Sequence, residues 1–195
     1  MTRANPAPGQ RAAQKLRTRR ALADAARELF VQTGYGETKA EAIAARAGVS
    51  RATFYLHFAS KAEIVTDLMR SLAGDLAENI TNLAKCTTRE ATHEWLESHA
   101  ELWREYEAEF IAMREALGTE QKVADEWFAF VNDVSARMSS PEGSAQTRVA
   151  ISVFLLGLER TYASVLQQGY SEPWELVREA LTQQWLGLVD AMTEG

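Results

Sequence analysis

Apolar side chains recur along most of the chain at steps of three and four residues, which is the period of an amphipathic α-helix. No segment shows the strict alternation of apolar and polar residues that is typical of a half-buried strand. The four prolines, at positions 6, 8, 141 and 173, leave the long periodic segments uninterrupted. The pattern therefore predicts an all-α fold.

The first periodic segment predicts a helix from about residue 11 to residue 33. Its apolar stripe consists of Leu22, Ala25, Ala26, Leu29 and Phe30. Gly34 then provides a helix stop. Two prolines and a glycine within residues 6–9 favour an irregular start, so residues 1–14 are expected to form a flexible basic tail.

Three start signals for helices follow at short intervals. They are two capping boxes and one N-cap serine, at Thr38 with Glu41, Ser60 with Glu63, and Ser50. Gly48 lies between the first two of these helices and can adopt a positive φ where the chain turns sharply. Residues 38–58 are therefore predicted to form a helix-turn-helix, followed by a fourth helix to about residue 83.

Longer amphipathic segments occupy the rest of the chain. One begins at Thr87 with Glu90, and a loop rich in serine, proline and glycine is predicted over residues 139–143. A strongly apolar helix is predicted over residues 145–168, and a last helix after Ser171 and Pro173. The apolar positions of the first segment are Trp95, His99, Leu102, Tyr106, Phe110, Met113 and Leu117. Those of the second are Val123, Trp127, Phe130, Val134 and Met138. Those of the last helix are Val177, Leu181, Trp185, Leu188 and Met192.

The distribution of charge separates the two ends of the chain. Residues 1–61 contain 11 Lys and Arg against 4 Asp and Glu, a net charge of +7, whereas the remaining residues carry 10 against 23, a net charge of −13. The overall charge of −6 and the pI near 5.2 conceal this basic end. Positive charge concentrated around a helix-turn-helix favours a nucleic-acid partner.

Other classes of function have little support in the sequence. No paired His and Glu spacing, Gly-rich phosphate loop or nucleophile motif occurs, so we expect no enzyme, metal site or other cofactor. The single cysteine, Cys86, indicates a reducing compartment. The longest apolar run, residues 149–158, is too short to span a bilayer, and the basic start lacks the apolar core of a signal peptide. The protein is therefore expected to be cytoplasmic, with no membrane partner.

The second helix of the predicted helix-turn-helix has a composition suited to a DNA groove. Phe54 and Phe58, spaced i, i+4, would pack against the first helix. The exposed set would then be Arg51, Thr53, Tyr55, Leu56 and His57. Arginine and threonine bond to bases or phosphates, leucine suits a thymine methyl, and tyrosine and histidine donate to phosphates. Lys39 and Lys61, at helix starts, are further candidates for phosphate contacts.

These motifs resemble those of the TetR family of bacterial repressors. The resemblance rests on TRRALADAARELF at residues 18–30, Gly34-Tyr35, the stretch to Phe58, and Ser60-Lys61, and it covers about residues 17–63. It implies about nine helices, a homodimer on near-palindromic operator DNA, and release of that DNA when a small molecule enters the C-terminal domain. The DNA-contacting residues that it implies are Thr38, Ser50, Arg51, Thr53, Tyr55, His57 and Lys61.

The resemblance also suggests domain boundaries and reveals two departures. Residues 15–61 would form the DNA-binding domain, and residues 62–195 a larger helical domain for ligand binding and dimerisation. The chain has Lys39 where the family often has a second hydroxyl residue, which suggests an added phosphate contact. It has Ala40 where the family often has a larger apolar residue, so the small core is expected to be slightly under-filled.

All five tryptophans lie beyond residue 61, among other aromatic residues. One interpretation is a cavity for a small, largely apolar effector, and the other is ordinary core packing. The candidate lining residues are Trp95, His99, Trp103, Tyr106, Phe110, Met113, Trp127, Phe128, Phe130, Phe154 and Tyr162. Within that set, His99, Tyr106 and Tyr162 are the candidate polar contacts.

The last two helices carry unusually broad apolar surfaces. They comprise Val149, Val153, Leu156 and Gly157 in one helix and the stripe from Val177 to Met192 in the other. Paired across a two-fold axis, they would form a four-helix interface and hold two reading helices about 34 Å apart, one turn of DNA. The alternative is that these helices pack within one subunit.

Several alternatives remain open at this point. A non-specific architectural DNA binder would use the same basic end, although the acidic remainder would repel a wrapped duplex. A helical-hairpin module for protein interaction would leave the basic end unexplained. An activator, or a DNA-binding protein without a small-molecule effector, would need no different residue pattern.

Overall fold

The computed structural model describes residues 8–139, 144–167 and 169–193, and within these ranges the chain forms nine α-helices and no strand. The helices are α1 (Pro8–Glu37), α2 (Ala40–Arg46), α3 (Arg51–His57), α4 (Lys61–Leu83), α5 (Arg89–Glu105), α6 (Glu107–Leu117), α7 (Gln121–Met138), α8 (Ala145–Tyr162) and α9 (Trp174–Thr193). A π-helical turn, Ala163–Gln167, continues α8. The predicted all-α fold is confirmed.

Helix α1 begins earlier than the sequence indicated. It starts at Pro8, so residues 8–14, predicted to belong to a flexible tail, are helical, while residues 1–7 of that tail lie outside the described residues. Proline is tolerated in a first turn because the N–H it lacks has no partner there, and the Ala, Gln, Lys and Arg that follow are good helix formers. At the other end, Gly34 interrupts the helical backbone with a φ of 80°, as predicted.

Two predicted caps are confirmed. The Ser50 Oγ accepts a hydrogen bond from the Thr53 N–H at 3.0 Å at the start of α3. At the start of α4, the Ser60 Oγ accepts one from the Glu63 N–H at 3.3 Å. These bonds satisfy amide groups that have no partner within the helix.

Two other predicted starts are shifted by one residue. The N-cap of α2 is Lys39 rather than Thr38, because the Thr38 hydroxyl donates to the Gly34 carbonyl at 2.6 Å. Helix α5 is capped by Thr88 rather than Thr87, and its Oγ1 accepts an amide N–H at 3.2 Å.

The helices pack into two compact units. The first comprises the residues up to Ser71 together with Ala108–Ala124, and the second comprises Leu72–Glu107 together with the residues from Asp125 onward. Helix α6 and the start of α7 thus pack with the region predicted to bind DNA. The predicted boundary at residue 61 did not anticipate this packing, and the division of functions at that boundary stays a prediction.

The first unit has its core among α1 to α4. Its largest fully buried members are Leu22, Phe30, Ile43, Phe54, Phe58, Ile64 and Val65. They include residues from the predicted stripe of the first helix and both phenylalanines around the end of the third. Burial of these side chains fixes α3 against α1 and α2.

The second unit has a core rich in aromatic residues. Trp185 is fully buried, and its Nε1 donates to the Cys86 carbonyl at 2.8 Å. Glu97 of α5 accepts a hydrogen bond from the Trp174 Nε1 at 2.8 Å and pairs with Arg178. These contacts attach α9 to α5.

One helical stretch, Ala145–Leu166, is long and apolar enough to cross a membrane by length and composition alone. A strongly apolar helix over residues 145–168 was predicted, and only its longest apolar run, residues 149–158, was compared with the thickness of a bilayer. One third of the tested window is buried. Val149 and Val153 are 62% and 64% exposed, so α8 has an uncovered apolar face in the single chain.

Candidate nucleic-acid interface

Helix α3 is held in place by two phenylalanines on its inner side. Phe54 and Phe58 are buried, with their ring centroids 6.2 Å apart. The Ser50 cap starts the helix, and at its end the guanidinium of Arg19 donates to the His57 carbonyl at 2.6 Å. The i, i+4 spacing of the phenylalanines predicted this inner face, which leaves the opposite face of α3 in solvent.

Arg19 joins three helices of the first unit. Its guanidinium carbon lies 4.0 Å from the centroid of the Phe58 ring and its nitrogens donate to the Asp67 carboxylate at 2.8 and 3.2 Å. Charge-assisted bonds and a cation over an aromatic ring both stabilise such a contact. Sequence alone did not single out Arg19, because residue type does not distinguish it from the neighbouring arginines.

The outer face of α3 presents Arg51, Tyr55 and Leu56. Leu56 is 79% exposed and Tyr55 is 48% exposed. The Arg51 Nη1 lies 2.9 Å from the Glu41 carboxylate of α2, and its guanidinium is 5.6 Å from the centroid of the Tyr55 ring. Because Arg51 and Glu41 are both exposed, their ion pair is weak, and a phosphate or a guanine can replace the carboxylate.

Three further predicted contacts lie at the starts of α2 and α3. Lys39 and Ser50 are exposed, and Thr53 is half-buried. The hydroxyls of Ser50 and Thr53 lie 2.9 Å apart, and the Ser50 Oγ also caps the helix. Both hydroxyls therefore have partners within α3, whereas the Lys39 side chain extends into solvent.

Thr38 and Lys61, both predicted to contact DNA, have internal hydrogen-bond partners in this structure. Thr38 is buried, and its hydroxyl is bonded to the Gly34 carbonyl. The Lys61 Nζ donates to the carbonyls of Tyr35, Gly36 and Thr38 at 2.5, 3.0 and 3.0 Å. These bonds use all three ammonium hydrogens, so the structure gives Lys61 the role of closing the connection between α1 and α2.

His57 lies in a less polar environment than a phosphate donor was expected to have. Its side chain is half-buried, and its Nδ1 is enclosed without a hydrogen-bond partner among the described residues. Burial lowers the pKa of His57, and the positive charges of Lys15 and Arg19 lower it further. The imidazole is therefore neutral at neutral pH, and any bond to a phosphate would use a neutral N–H.

Three carboxylates of the segment 108–124 bind α1, which the sequence analysis missed. Glu109, 6% exposed, accepts from Arg27 at 2.5 Å. The Glu115 carboxylate accepts from the Tyr35 N–H at 2.6 Å, and Glu120 accepts from the Tyr35 hydroxyl at 2.7 Å. Burial raises the pKa of Tyr35, and the bond to Glu120 raises it further, so the phenol stays a proton donor.

Four of the predicted ligand-lining residues meet in the core of the second unit. The Trp95 ring stacks on His99 with centroids 4.7 Å apart, and Tyr162 lies 5.1 Å from His99 and 5.8 Å from Trp103. The His99 Nδ1 lies 2.6 Å from the Asn79 Oδ1, and burial lowers the pKa of His99 to about 3. These rings pack on one another, as the packing alternative in the sequence analysis described.

The other predicted lining residues are distributed elsewhere. Phe110 and Met113 are buried on α6, within the first unit. Phe128 is 50% exposed, so it does not line an interior cavity in this structure. In the second unit, contacts of the others include a stack of Trp127 on Phe130 at 5.6 Å, Phe154 against Trp185 at 5.4 Å, and the Tyr106 hydroxyl 3.4 Å from an Asp75 oxygen.

A separate groove of about 500 Å³ lies between α8 and α9 in the second unit. Its lining includes Gly157, Thr161, Leu176 and Ala180. From the sequence, this region is expected to form a subunit contact and not a concave site. Among the described residues, no group of three or more His, Cys, Asp or Glu side chains is arranged to hold a metal ion.

Comparison with known proteins gives matches to bacterial regulators. The family described as "Bacterial regulatory proteins, tetR family" matches residues 22–68. The HTH-type transcriptional activator FasR of Mycolicibacterium smegmatis is 35% identical over 86 residues, which are 43% of this chain. The match spans only 39% of the length of FasR.

Solved structures extend the similarity of fold over most of the chain. A transcriptional regulator (TerR/AcrR family) from Aquifex aeolicus aligns with a TM-score of 0.61 and 22% identity, over 88% of this chain and 99% of that one. The fatty acid degradation regulator FadR from Bacillus halodurans aligns with a TM-score of 0.57 and 16% identity, over 94% and 97% of the two chains. At these identities the similarity is one of fold alone.

Proposed function

Because the chain belongs to the TetR family of bacterial regulatory proteins, we propose that it is a DNA-binding transcriptional regulator, acting as a homodimer on a near-palindromic operator. The main support is the outer face of α3, where Arg51, Tyr55 and Leu56 are exposed on a helix anchored by buried phenylalanines. The net charge of +7 over residues 1–61 favours the same polyanionic partner.

The dimer is proposed to form through α8 and α9. Val149 and Val153 of α8 and Leu176 of α9 are each at least 60% exposed in the single chain. Apolar residues grouped on adjacent helices are typical of an interface that a second subunit covers. A two-fold pair would then place two α3 helices in successive major grooves.

We further propose that a small, largely apolar effector releases the DNA, so that the protein is a repressor. A ligand has this effect only if it favours a conformation in which the α3 helices are wrongly spaced for the operator. The groove between α8 and α9 is one candidate site. The aromatic cluster of Trp95, His99, Trp103 and Tyr162 is the other, and a ligand there would have to separate rings that pack on one another. The proposed location is the cytoplasm, and no cofactor or catalytic step is involved.

An activator is the alternative function. The relative FasR, 35% identical over 86 residues, is named a transcriptional activator. The contacts of α3 with DNA would be the same in both cases, because the sign of regulation depends on where the site lies relative to a promoter. A reporter gene placed downstream of the selected site distinguishes the two.

Selection of bound duplexes from a random DNA pool tests the proposal. The expected result is a near-palindromic consensus that wild-type protein binds. Arg51→Ala and Tyr55→Ala are each expected to weaken binding about 10- to 100-fold, because each removes a contact of about 1–3 kcal/mol. Arg137→Ala, an exposed arginine of α7, is the matched control and is expected to bind normally. Equal, sequence-selective binding by all three variants would contradict the assignment of α3.

Effector release is tested by adding candidate apolar compounds to the operator complex. The expected result is a decrease in DNA affinity in proportion to compound binding, as linkage requires. A compound that binds the protein and leaves DNA affinity unchanged would not be its effector.

A further inference from the structure

The first turns of α1 extend beyond the packed part of that helix. Residues 9–17 are all exposed, and continuous burial begins only at Leu22. At 1.5 Å per residue, the exposed turns project about 15 Å from the region where the helix packs. This projection is helical, so its side chains have fixed relative positions that a flexible tail would not give them.

One face of the projection is cationic. Arg11 and Lys15 are spaced i, i+4, and Leu22 follows at i+11, so all three share one side of the helix. Leu22 is the residue that this side buries in the core of the first unit. Beyond the core, the same side therefore carries positive charge. Residues 8–23 contain no Asp or Glu, and neither cation has an acidic partner among the described residues.

The projection begins beside the end of α3. Arg19, one turn after Lys15, donates to the His57 carbonyl at 2.6 Å and lies over the Phe58 ring. Lys15 precedes Arg19 by one turn on the same side of α1, and its positive charge contributes to the lowered pKa of His57, in agreement with this position. Lys15 therefore lies next to the end of α3, and Arg11 lies one turn further out.

We propose that Arg11 and Lys15 form a second DNA contact, which binds phosphates outside the bases reached by α3. The inference rests on the proposed function, since it needs α3 to lie in a DNA groove. Cations of this kind bind the backbone without reading sequence. A reach of about 15 Å corresponds to four or five base pairs at about 3.4 Å each, so the contact would lie on the flank of each half-site.

The test compares R11A/K15A with a variant that loses the same charge elsewhere. K85A/R137A is the matched control, because both of its residues are exposed and belong to the second unit. On the selected operator with long flanks, R11A/K15A is expected to bind at least about tenfold more weakly. The magnitude of the slope of log affinity against log salt concentration should decrease by about 2 for each subunit. The ratio of operator to random-sequence affinity should not change.

Flank length provides the second measurement. Trimming about five base pairs from each end should weaken wild-type binding and leave R11A/K15A unaffected, whereas R11K/K15R should behave as wild type. Circular dichroism checks that α1 is retained in each variant.

Three results would overturn the proposal. In the first, R11A/K15A has the same affinity and salt slope as the control, which would mean that Arg11 and Lys15 are only solvated by water. In another, the loss is confined to one base sequence, which would mean base reading. If instead wild-type protein selects no DNA at all, the proposed function itself fails, a result that is distinct from the other two.

Discussion

Lys61 has the charge and the position of a phosphate contact, yet its ammonium group is bonded to three carbonyls at the end of α1. Those acceptors lie 23 to 26 residues earlier in the chain, so no local spacing predicts them. Phe54 and Phe58 were predicted correctly because a single helical turn decides which face they share. At this scale, sequence predicts partners within one helix and misses partners brought together by the fold.

His99 gives the protein a pH dependence of stability. Burial lowers its pKa to about 3 from an ordinary 6.5, so between these values the unfolded chain binds a proton that the folded chain does not. The free energy of unfolding therefore decreases as the pH is lowered through this window, by about 1.4 kcal/mol per pH unit. Between pH 7 and pH 5, wild-type protein is expected to lose about 2 kcal/mol more than His99→Gln, as measured by urea unfolding.

His93 provides the matched control for this measurement. It is a half-buried histidine on the same helix, so His93→Gln should keep most of the wild-type pH dependence. If His99→Gln shows the same loss between pH 7 and pH 5 as wild type, His99 is not held neutral by burial.

The elements themselves were largely predictable, whereas their packing was not. Glycine and serine signals located the end of the regular part of α1 and the starts of α3 and α4, because helix ends are decided by a few neighbouring residues. The association of residues 108–124, which include most of α6, with α1 depends on carboxylates 80 to 85 residues away from their partners in the chain. Hydrophobic periodicity does not predict such distant polar pairs, so α6 was assigned to the C-terminal domain.

The bond from Tyr35 to Glu120 makes that packing measurable. Tyr35→Phe removes one hydroxyl that donates to a carboxylate at 2.7 Å, and leaves Glu120 with one partner fewer. The expected cost is about 1–2 kcal/mol in the free energy of unfolding. Tyr55→Phe is the control, because Tyr55 is 48% exposed and should change stability little. Equal urea midpoints for Tyr35→Phe and wild type would contradict a stabilising role of this bond.

Each of the two compact units is built from two separate segments of the chain, so no single boundary divides them. The family resemblance correctly predicted the nine helices of the described residues, since the fold is specified by the order of helices and turns. The predicted ligand-lining residues do not form a single group: four of them make one cluster in the second unit, whereas Phe110 and Met113 belong to the first unit. Aromatic residues at core spacing look alike in sequence, whichever core they fill.

The proposed dimer interface can be tested by placing a charge on the exposed apolar face of α8. Val153→Glu would bury a carboxylate without a partner twice in a symmetric interface, which costs several kcal/mol. The protein is expected to become monomeric by light scattering, and its operator affinity to fall by about a hundredfold or more. Val31→Glu makes the same change at a 53% exposed position of α1 and should remain dimeric. A Val153→Glu dimer of normal strength would show that α8 is not in the interface.

The positions of the tryptophans also determine which part of this protein tryptophan fluorescence can monitor. All five, at 95, 103, 127, 174 and 185, belong to the second unit, and the first unit has none. Tryptophan fluorescence is therefore insensitive to α3 and its surroundings unless a disturbance there reaches the second unit. A change in emission when DNA is added would mean that the two units communicate, and the natural chain would detect it without any attached dye.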